Sequence, residues 1–342
     1  MLFLLNNPRE RKVMEPDKFR EFLMRGAVVC VQLTPFKKNE DVDYEGLKEN
    51  TRVLIEKSRG EPLVLVPAGS TGEKYTLTDE EWKKVIKTVV DVANGKVPVV
   101  PGASHSGTRA ALERAKYAQD VGADGVMVVL PYYHVPEEEG LYLHYKKICD
   151  SLEIGVMIYN NPDVSKIYMK PHLLKRLVDD TNNIVAVKEN TPFIQTLYRQ
   201  IRAVGDKVPI LQGRGEWWFA ATVFLGVRGY ISGYANFMPE ISFDLLKAGL
   251  NGNFSRVKEI MERLNPYEEF IAKMCSKYGP STTILPYPYV SSYMIYGVLK
   301  ATMDMLGLRG GHMRLPLLDL KEEDKKELEK IVFEELGLSK IK

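Results

Sequence analysis

The sequence predicts an α/β protein, a (β/α)8 TIM barrel over residues 26–238 with a short N-terminal extension over 1–25 and a C-terminal helical region over 239–342. Three observations carry that expectation. Eight short apolar, β-branched runs recur along the chain, at 28–33, 63–66, 97–100, 126–130, 154–159, 184–188, 208–211 and 228–232. Nearly continuous apolar runs suit strands covered on both faces, as in parallel sheets. Segments of helical pattern separate the runs, and strict alternation repeated this way argues for a closed barrel. Finally, 342 residues with 45% hydrophobic content can fill a large core. A doubly wound open sheet is the alternative, but it wants a glycine-rich first turn. Here the first run leads into Thr34-Pro35-Phe36.

The elements follow in order. Before Gly26 a polar leader precedes a short helix-like stretch at 16–24. Thr78-Asp79-Glu80-Glu81 is a capping box that opens a helix toward Val92. Pro136 with Glu137 and Glu138 marks another helix start, with proline in the first turn and acids near the positive end of the dipole. Thr191-Pro192 repeats the device. Beyond Pro239 the pattern is helical, at 253–277, 289–306 and 321–335. Apart from the β/α unit there is no internal repeat, and there is no low-complexity tract.

Composition narrows the function classes. The net charge is +2, from 47 basic and 45 acidic residues, which points to neither a nucleic-acid nor a membrane partner. Cys30, Cys149 and Cys275 are odd in number and form no CxxC or ligand pattern, which fits a reducing, cytoplasmic setting. Residues 1–5 are apolar but short, have no basic stretch before them and run into a polar segment, so neither a signal peptide nor an anchor is expected. His105, His134, His144, His172 and His312 show no grouping of the kind a metal needs, and no metal or other cofactor is expected.

Lys188 is the most informative position. It ends the run Ile184-Val185-Ala186-Val187. A buried, isolated lysine tends to shed its proton, and a neutral lysine is the nucleophile for a Schiff base with a carbonyl compound. The other reading is a strand-end lysine that snorkels to water or pairs with Glu189. In a barrel the chemistry gathers at the carboxyl ends of the strands. The segments found there are Pro67-Ala68-Gly69-Ser70-Thr71-Gly72-Glu73, Pro131-Tyr132-Tyr133-His134, Tyr159-Asn160-Asn161-Pro162, Gln212-Gly213-Arg214-Gly215-Glu216 and Ser232-Gly233-Tyr234-Ala235-Asn236.

This set resembles the dihydrodipicolinate synthase / N-acetylneuraminate lyase family of class I, Schiff-base-forming lyases. The motifs are GSTGE at 69–73, PYY at 131–133, YNNP at 159–162 and VKEN at 187–190, and the similarity runs from Gly26 to the C-terminus. The resemblance implies pyruvate or a related 2-oxo acid held as an imine on Lys188, in a homotetramer arranged as a dimer of dimers. It implies that Tyr159 relays protons, with Ser70 and Tyr133 as hydroxyl partners, Tyr133 reaching in from a neighbouring subunit. Gly69, Ser70 and Thr71 would cradle the substrate carboxylate, and Gly213, Glu216 and Ile231 would line the rest of the site. Tyr132 and His134 are expected to be packing and loop residues. Glu73 is expected to serve structure, as an acid at a helix mouth.

The chain also departs from the pattern. Dihydrodipicolinate synthases carry an arginine a few residues after the YN motif that grips the second substrate's carboxylate, and Val164 stands there. Sialic acid lyases hold their sugar with an acidic pair after the seventh strand. Here Glu216 matches but Gly215 does not, and Gly233 replaces a sugar-contacting serine. The leading expectation is therefore a metal-independent class I aldolase acting on a 2-keto-3-deoxy sugar acid, with Arg214, Glu216, Trp217 and Trp218 around the second-substrate pocket. The alternatives are a dehydratase, deaminase or hydratase-aldolase on the same imine, a dihydrodipicolinate synthase, or a non-catalytic 2-oxo acid binder.

Overall fold

A computed structural model of the chain describes residues 13–279 and 294–341. Seven parallel strands are β1 (Ala27–Val31), β2 (Leu63–Val66), β3 (Gly125–Val129), β4 (Gly155–Asn160), β5 (Ile184–Glu189), β6 (Ile210–Gln212) and β7 (Gly229–Ser232). They lie side by side in the order β2-β1-β7-β6-β5-β4-β3. The expected run at 97–100 occupies the remaining place between β2 and β3. It pairs through single bridges, Leu65 with Val99 and Gly102 with Met127. Leu65 N–H donates to Pro98 O at 2.9 Å and Met127 N–H to Pro101 O at 2.9 Å. Pro98 and Pro101 have no N–H to return, so this segment cannot hold a continuous ladder. The architecture is the expected (β/α)8 barrel, closed through an interrupted strand.

The period of two along each strand sorts the core into two layers. Val29, Val31, Val64, Val66, Met127, Val129, Met157, Tyr159, Leu211 and Ile231 fill the barrel interior. Their neighbours Val28, Cys30, Leu65, Val128, Ile158, Val187 and Tyr230 face the surrounding helices.

The amino end of the barrel is closed by the helix Pro16–Met24. Its Phe19 and Leu23 belong to the interior cluster. Arg20 Nε donates to Ile184 O at 2.9 Å, and Met14 N–H donates to Asp124 Oδ1 at 3.0 Å, both at the starts of strands. Residues 1–12 of the extension lie outside the described residues.

The capping box forms as expected: Glu81 N–H donates to Thr78 Oγ1 at 3.2 Å and Thr78 N–H to Glu81 Oε2 at 3.0 Å. At the other two helix starts the detail differs. Helix Glu138–Asp150 is capped by Glu137 and helix Ile194–Val204 by Phe193. Pro136 and Pro192 therefore stand just upstream of the cap, because an extended cap residue separates each from the first turn. Helix Pro239–Leu250 packs against Tyr44–Ser58 and β1 and completes the ring. Beyond it come Phe254–Lys277, Met294–Met305 and Glu322–Lys330, the last running on into a π turn at Ile331–Glu335. The 289–293 part of the expected second run lies outside the described residues. Among the described residues no helix is long and apolar enough to cross a membrane.

One buried group makes the fold acid-sensitive. His144, on helix Glu138–Asp150, bonds through Nδ1 to Thr108 Oγ1 at 2.9 Å, while its Nε2 is buried without a hydrogen-bond partner among the described residues. Burial pushes its pKa down to about 4. A histidine pKa lowered by folding means that the unfolded chain binds the proton first. The neutral ring's contribution is intact above pH ~6.5 and is lost as pH falls toward 4. Between pH 7 and 4.5, His144→Phe should lose about 2–3 kcal/mol less unfolding free energy than wild type. Urea melts of both proteins at the two pH values measure this, and parallel pH slopes would rule it out.

Candidate active site

Lys188 and Tyr159 are register partners at the carboxyl ends of β5 and β4. That pairing sets the two side chains next to each other inside the barrel. The Lys188 Nζ lies 3.6 Å from the Tyr159 ring centroid, and the lysine is only 3% exposed. Burial pulls the ammonium pKa down to about 7, and no carboxylate among the described residues offsets it. The competing reading, a pair with Glu189, fails because alternation sends Glu189 to the other face of β5. There its carboxylate accepts from Asn160 Nδ2 and from Thr191 N–H, each at 2.7 Å. Burial pushes the Glu189 carboxyl up to about 7, and these donors work against that rise.

The YNNP segment holds the tyrosine. Asn160 Oδ1 accepts from Met169 N–H at 2.7 Å, so this one side chain ties β4 to β5 and to the loop beyond. Asn161 caps the single turn Pro162–Ser165 and donates from Nδ2 to the Tyr159 hydroxyl at 2.7 Å. Burial raises the phenol pKa well above its ordinary value. The Asn161 bond, the positive charge of Arg214 and a hydrogen bond with Ser70 oppose it. The structure thus brings Lys188, Tyr159 and Ser70 together. Neither asparagine had been given a role from sequence, although both sit inside a motif that had been singled out.

Ser70 and Thr71 are half-buried in the loop after β2, with Gly69 and Gly72 buried on either side. Gly213 N–H donates to Glu189 O at 2.8 Å, and a Cβ there would fall 1.7 Å from Asn190 Oδ1, so a larger residue would have to displace the Asn190 side chain. Ile231 points into the barrel. Tyr132 packs on the interior cluster, while Tyr133 is 87% exposed and holds a left-handed φ of 83°. His134 is an exposed loop residue.

Glu216 goes elsewhere. Its carboxylate accepts from Ser232 Oγ at 2.5 Å and Ser242 Oγ at 3.3 Å, in the layer between strands and helices. It is buried on the same face of helix Gly215–Thr222 as Phe219 and Thr222, and burial pushes its pKa up to about 7. That face of the helix could have been read from the spacing of three. Trp217 is exposed on the opposite side.

Arg214 spans the mouth instead. Its Nε donates to Asn190 O at 2.7 Å and its Nη2 to Asp163 Oδ2 at 2.6 Å. The guanidinium therefore bridges the ends of β4, β5 and β6, with Trp218 5.5 Å away. Asp163 had not been singled out from sequence, since its partner lies 51 residues on. Val164 and Lys166 are exposed beside it. Among the described residues no cluster of three His, Cys, Asp or Glu side chains could hold a metal ion.

Comparison with known proteins agrees with this geometry. A profile of the dihydrodipicolinate synthetase family matches residues 24–335. A 4-hydroxy-tetrahydrodipicolinate synthase of Methanocaldococcus jannaschii is 36% identical over 306 residues, 90% of this chain and 96% of that protein. One from Methanococcus vannielii is 34% identical over 320 residues, covering 93% of this chain and all of that protein. Among solved structures, a dihydrodipicolinate synthase superposes with a TM-score of 0.78 at 35% identity, covering 91% of this chain and 99% of the other. The Aquifex aeolicus dihydrodipicolinate synthase gives 0.77 at 30% identity, over 90% and 97%. The family match takes in every strand and all the described C-terminal helices, and so this chain belongs to the dihydrodipicolinate synthetase family of class I lyases.

Proposed function

We propose that this protein joins pyruvate, bound as an imine on Lys188, to an aldehyde acceptor, the reaction type for which its relatives are named 4-hydroxy-tetrahydrodipicolinate synthase. The observation that carries the reading is the buried amine of Lys188, with a pKa near 7 and the ring of Tyr159 3.6 Å away. The neutral amine adds to the ketone carbon, and the carbinolamine loses water to give the imine. Tyr159 supplies and recovers the protons, oriented by Asn161 and Ser70. Deprotonation of the methyl group gives an enamine whose carbon attacks the acceptor aldehyde, and water then frees the lysine. Ser70, Thr71 and the backbone N–H groups between Gly69 and Gly72 take the pyruvate carboxylate.

At the acceptor end the proposal moves away from the sugar acid first expected. Glu216, expected to hold hydroxyls, is occupied by two serines. Arg214, aimed across the mouth, can give an acceptor carboxylate the charge-assisted contact that Val164 cannot. A second reading, cleavage of a 2-keto-3-deoxy sugar acid, draws support from the aliphatic Val164 itself. We further propose a homotetramer in which Tyr133 reaches into a neighbour's site. The support is an aromatic side chain left in solvent on a left-handed backbone.

Three measurements test this function. Pyruvate with cyanoborohydride should leave one reduced adduct on Lys188. Because folding lowers the lysine pKa to about 7, the reactive amine fraction rises through pH 7 and the trapping rate levels off above pH ~8. A rate still climbing tenfold per unit at pH 9 would mean an ordinary lysine. Tyr159→Phe should cut kcat by about 10²–10⁴-fold with pyruvate still bound, whereas a loss below ~3-fold would assign the tyrosine to packing. Arg214→Met should raise KM for aspartate semialdehyde by roughly ten- to a hundredfold, as losing about 1.5–3 kcal/mol requires, and leave KM for pyruvate alone. Wild-type turnover that is faster on 2-keto-3-deoxy acids, and indifferent to Arg214, would favour the second reading.

A further inference from the structure

The C-terminal region meets the rim of the barrel at one buried point. Helix Met294–Met305 carries Lys300 to Glu73, and the two form an ion pair with exposures of 1% and 0%. Lys300 Nζ also donates to His312 O at 2.6 Å and sits 4.5 Å from the Phe36 ring centroid. The second Glu73 oxygen accepts from Arg314 N–H at 3.2 Å. Arg314 in turn donates to Thr76 O at 2.9 Å and to Glu81 Oε1 at 2.6 Å. Glu73 is therefore gripped at both oxygens by residues from the far end of the chain.

Glu73 closes the loop that holds Ser70 and Thr71, and that loop is strained at both ends. Ala68 has a φ of 52° and Glu73 a φ of 55°. A residue with a Cβ in this left-handed region costs about 1–2 kcal/mol and persists only where its surroundings hold it. At the Ala68 end, packing does this: a Cβ on Gly102 would fall 2.2 Å from Ala68 O, so the backbones are in direct contact. Within the loop, Thr34 Oγ1 donates to Gly72 O at 2.8 Å. At the Glu73 end, the external hold on the side chain comes from Lys300 and the Arg314 N–H. A buried ion pair of this kind adds little net stability over a well-packed apolar pair. What it does supply is a fixed direction for the loop it anchors.

We infer that Lys300 is a positioning residue for 2-oxo acid recognition. It holds Glu73 in its left-handed conformation and so aims the 69–72 backbone N–H groups and the Ser70 and Thr71 hydroxyls at the substrate carboxylate. The inference rests on the reading of that loop as the carboxylate cradle. Lys300 is in contact with Glu73 and not with Lys188, so its loss weakens capture of the free carboxylate more than it slows the chemistry of the bound imine, which feels the loop only through the Ser70 bond to Tyr159, itself still held by Asn161.

The test uses the full-length protein and the pyruvate concentration that half-saturates adduct formation on Lys188. Lys300→Met should raise that concentration at least tenfold, while the trapping rate at saturation stays within about threefold. Methyl pyruvate, which lacks the free carboxylate, should show no such shift. If Lys300→Met does not fold, the neutral double variant Glu73→Gln/Lys300→Met removes both charges at similar volume and should show the same rise. A half-saturation within twofold of wild type in either folded variant, or an equal shift for methyl pyruvate, overturns the inference. Absence of any adduct in the wild type would instead overturn the Lys188 reading, and this inference with it.

Discussion

Lys188 keeps its amine inside the barrel with no counter-charge among the described residues, and much of the surrounding structure can be understood as maintaining that condition. Desolvation favours the neutral amine only while water and carboxylates stay away. The interior cluster of valines, methionines and leucines excludes the water. The adjacent glutamate is the nearest threat in sequence, and strand alternation turns it outward, where Asn160 and the Thr191 N–H hold it. Were Glu189 to share a face with Lys188, the pair would neutralise each other as ions and the nucleophile would be lost. The same arrangement explains why Asn160 is tied down on both sides: releasing it would free the carboxylate it restrains.

Much of this was legible in the sequence, and what was missed follows a pattern. Strand positions came through, because a continuous apolar run is a local signal. The run at 97–100 was recognised as a strand even though Pro98 within it and Pro101 just after it reduce it to bridges, since burial is what its apolar residues report. Lys188 and Tyr159 were readable because strand ends map onto the rim. Glu216 was expected at the substrate because the resemblance implied it. Its helical phase with Phe219 and Thr222 carried the contrary information. Asp163 with Arg214, and Glu73 with Lys300, are pairs between distant segments, which no local pattern exposes. Glu73 was expected to act on a helix dipole. It does serve structure, through a lysine more than two hundred residues away.

Family membership and individual specificity separate cleanly here. The lysine, the tyrosine and the glycine-flanked hydroxyls lie in the motifs that carry the resemblance to the family. At the proposed acceptor end, aliphatic Val164 stands at the position where the resemblance leads one to expect an arginine, and Arg214 from the end of β6 lies close by, held by Asp163. In the proposed reaction the first group would handle the 2-oxo acid, and the acceptor end lies on loops that can exchange residues without disturbing the barrel.

The helix Pro16–Met24 bears on all of this from the opposite end of the molecule. Phe19 and Leu23 form the floor of the chamber in which the amine sits, although they precede the first strand and belong to no β/α unit. The dryness around Lys188 is thus partly the property of a segment outside the repeat. A chain begun at β1 would keep every residue of the active site and lose its seal. Solvent entering from below would let the lysine hold its proton through neutral pH, with every strand-end residue still in place.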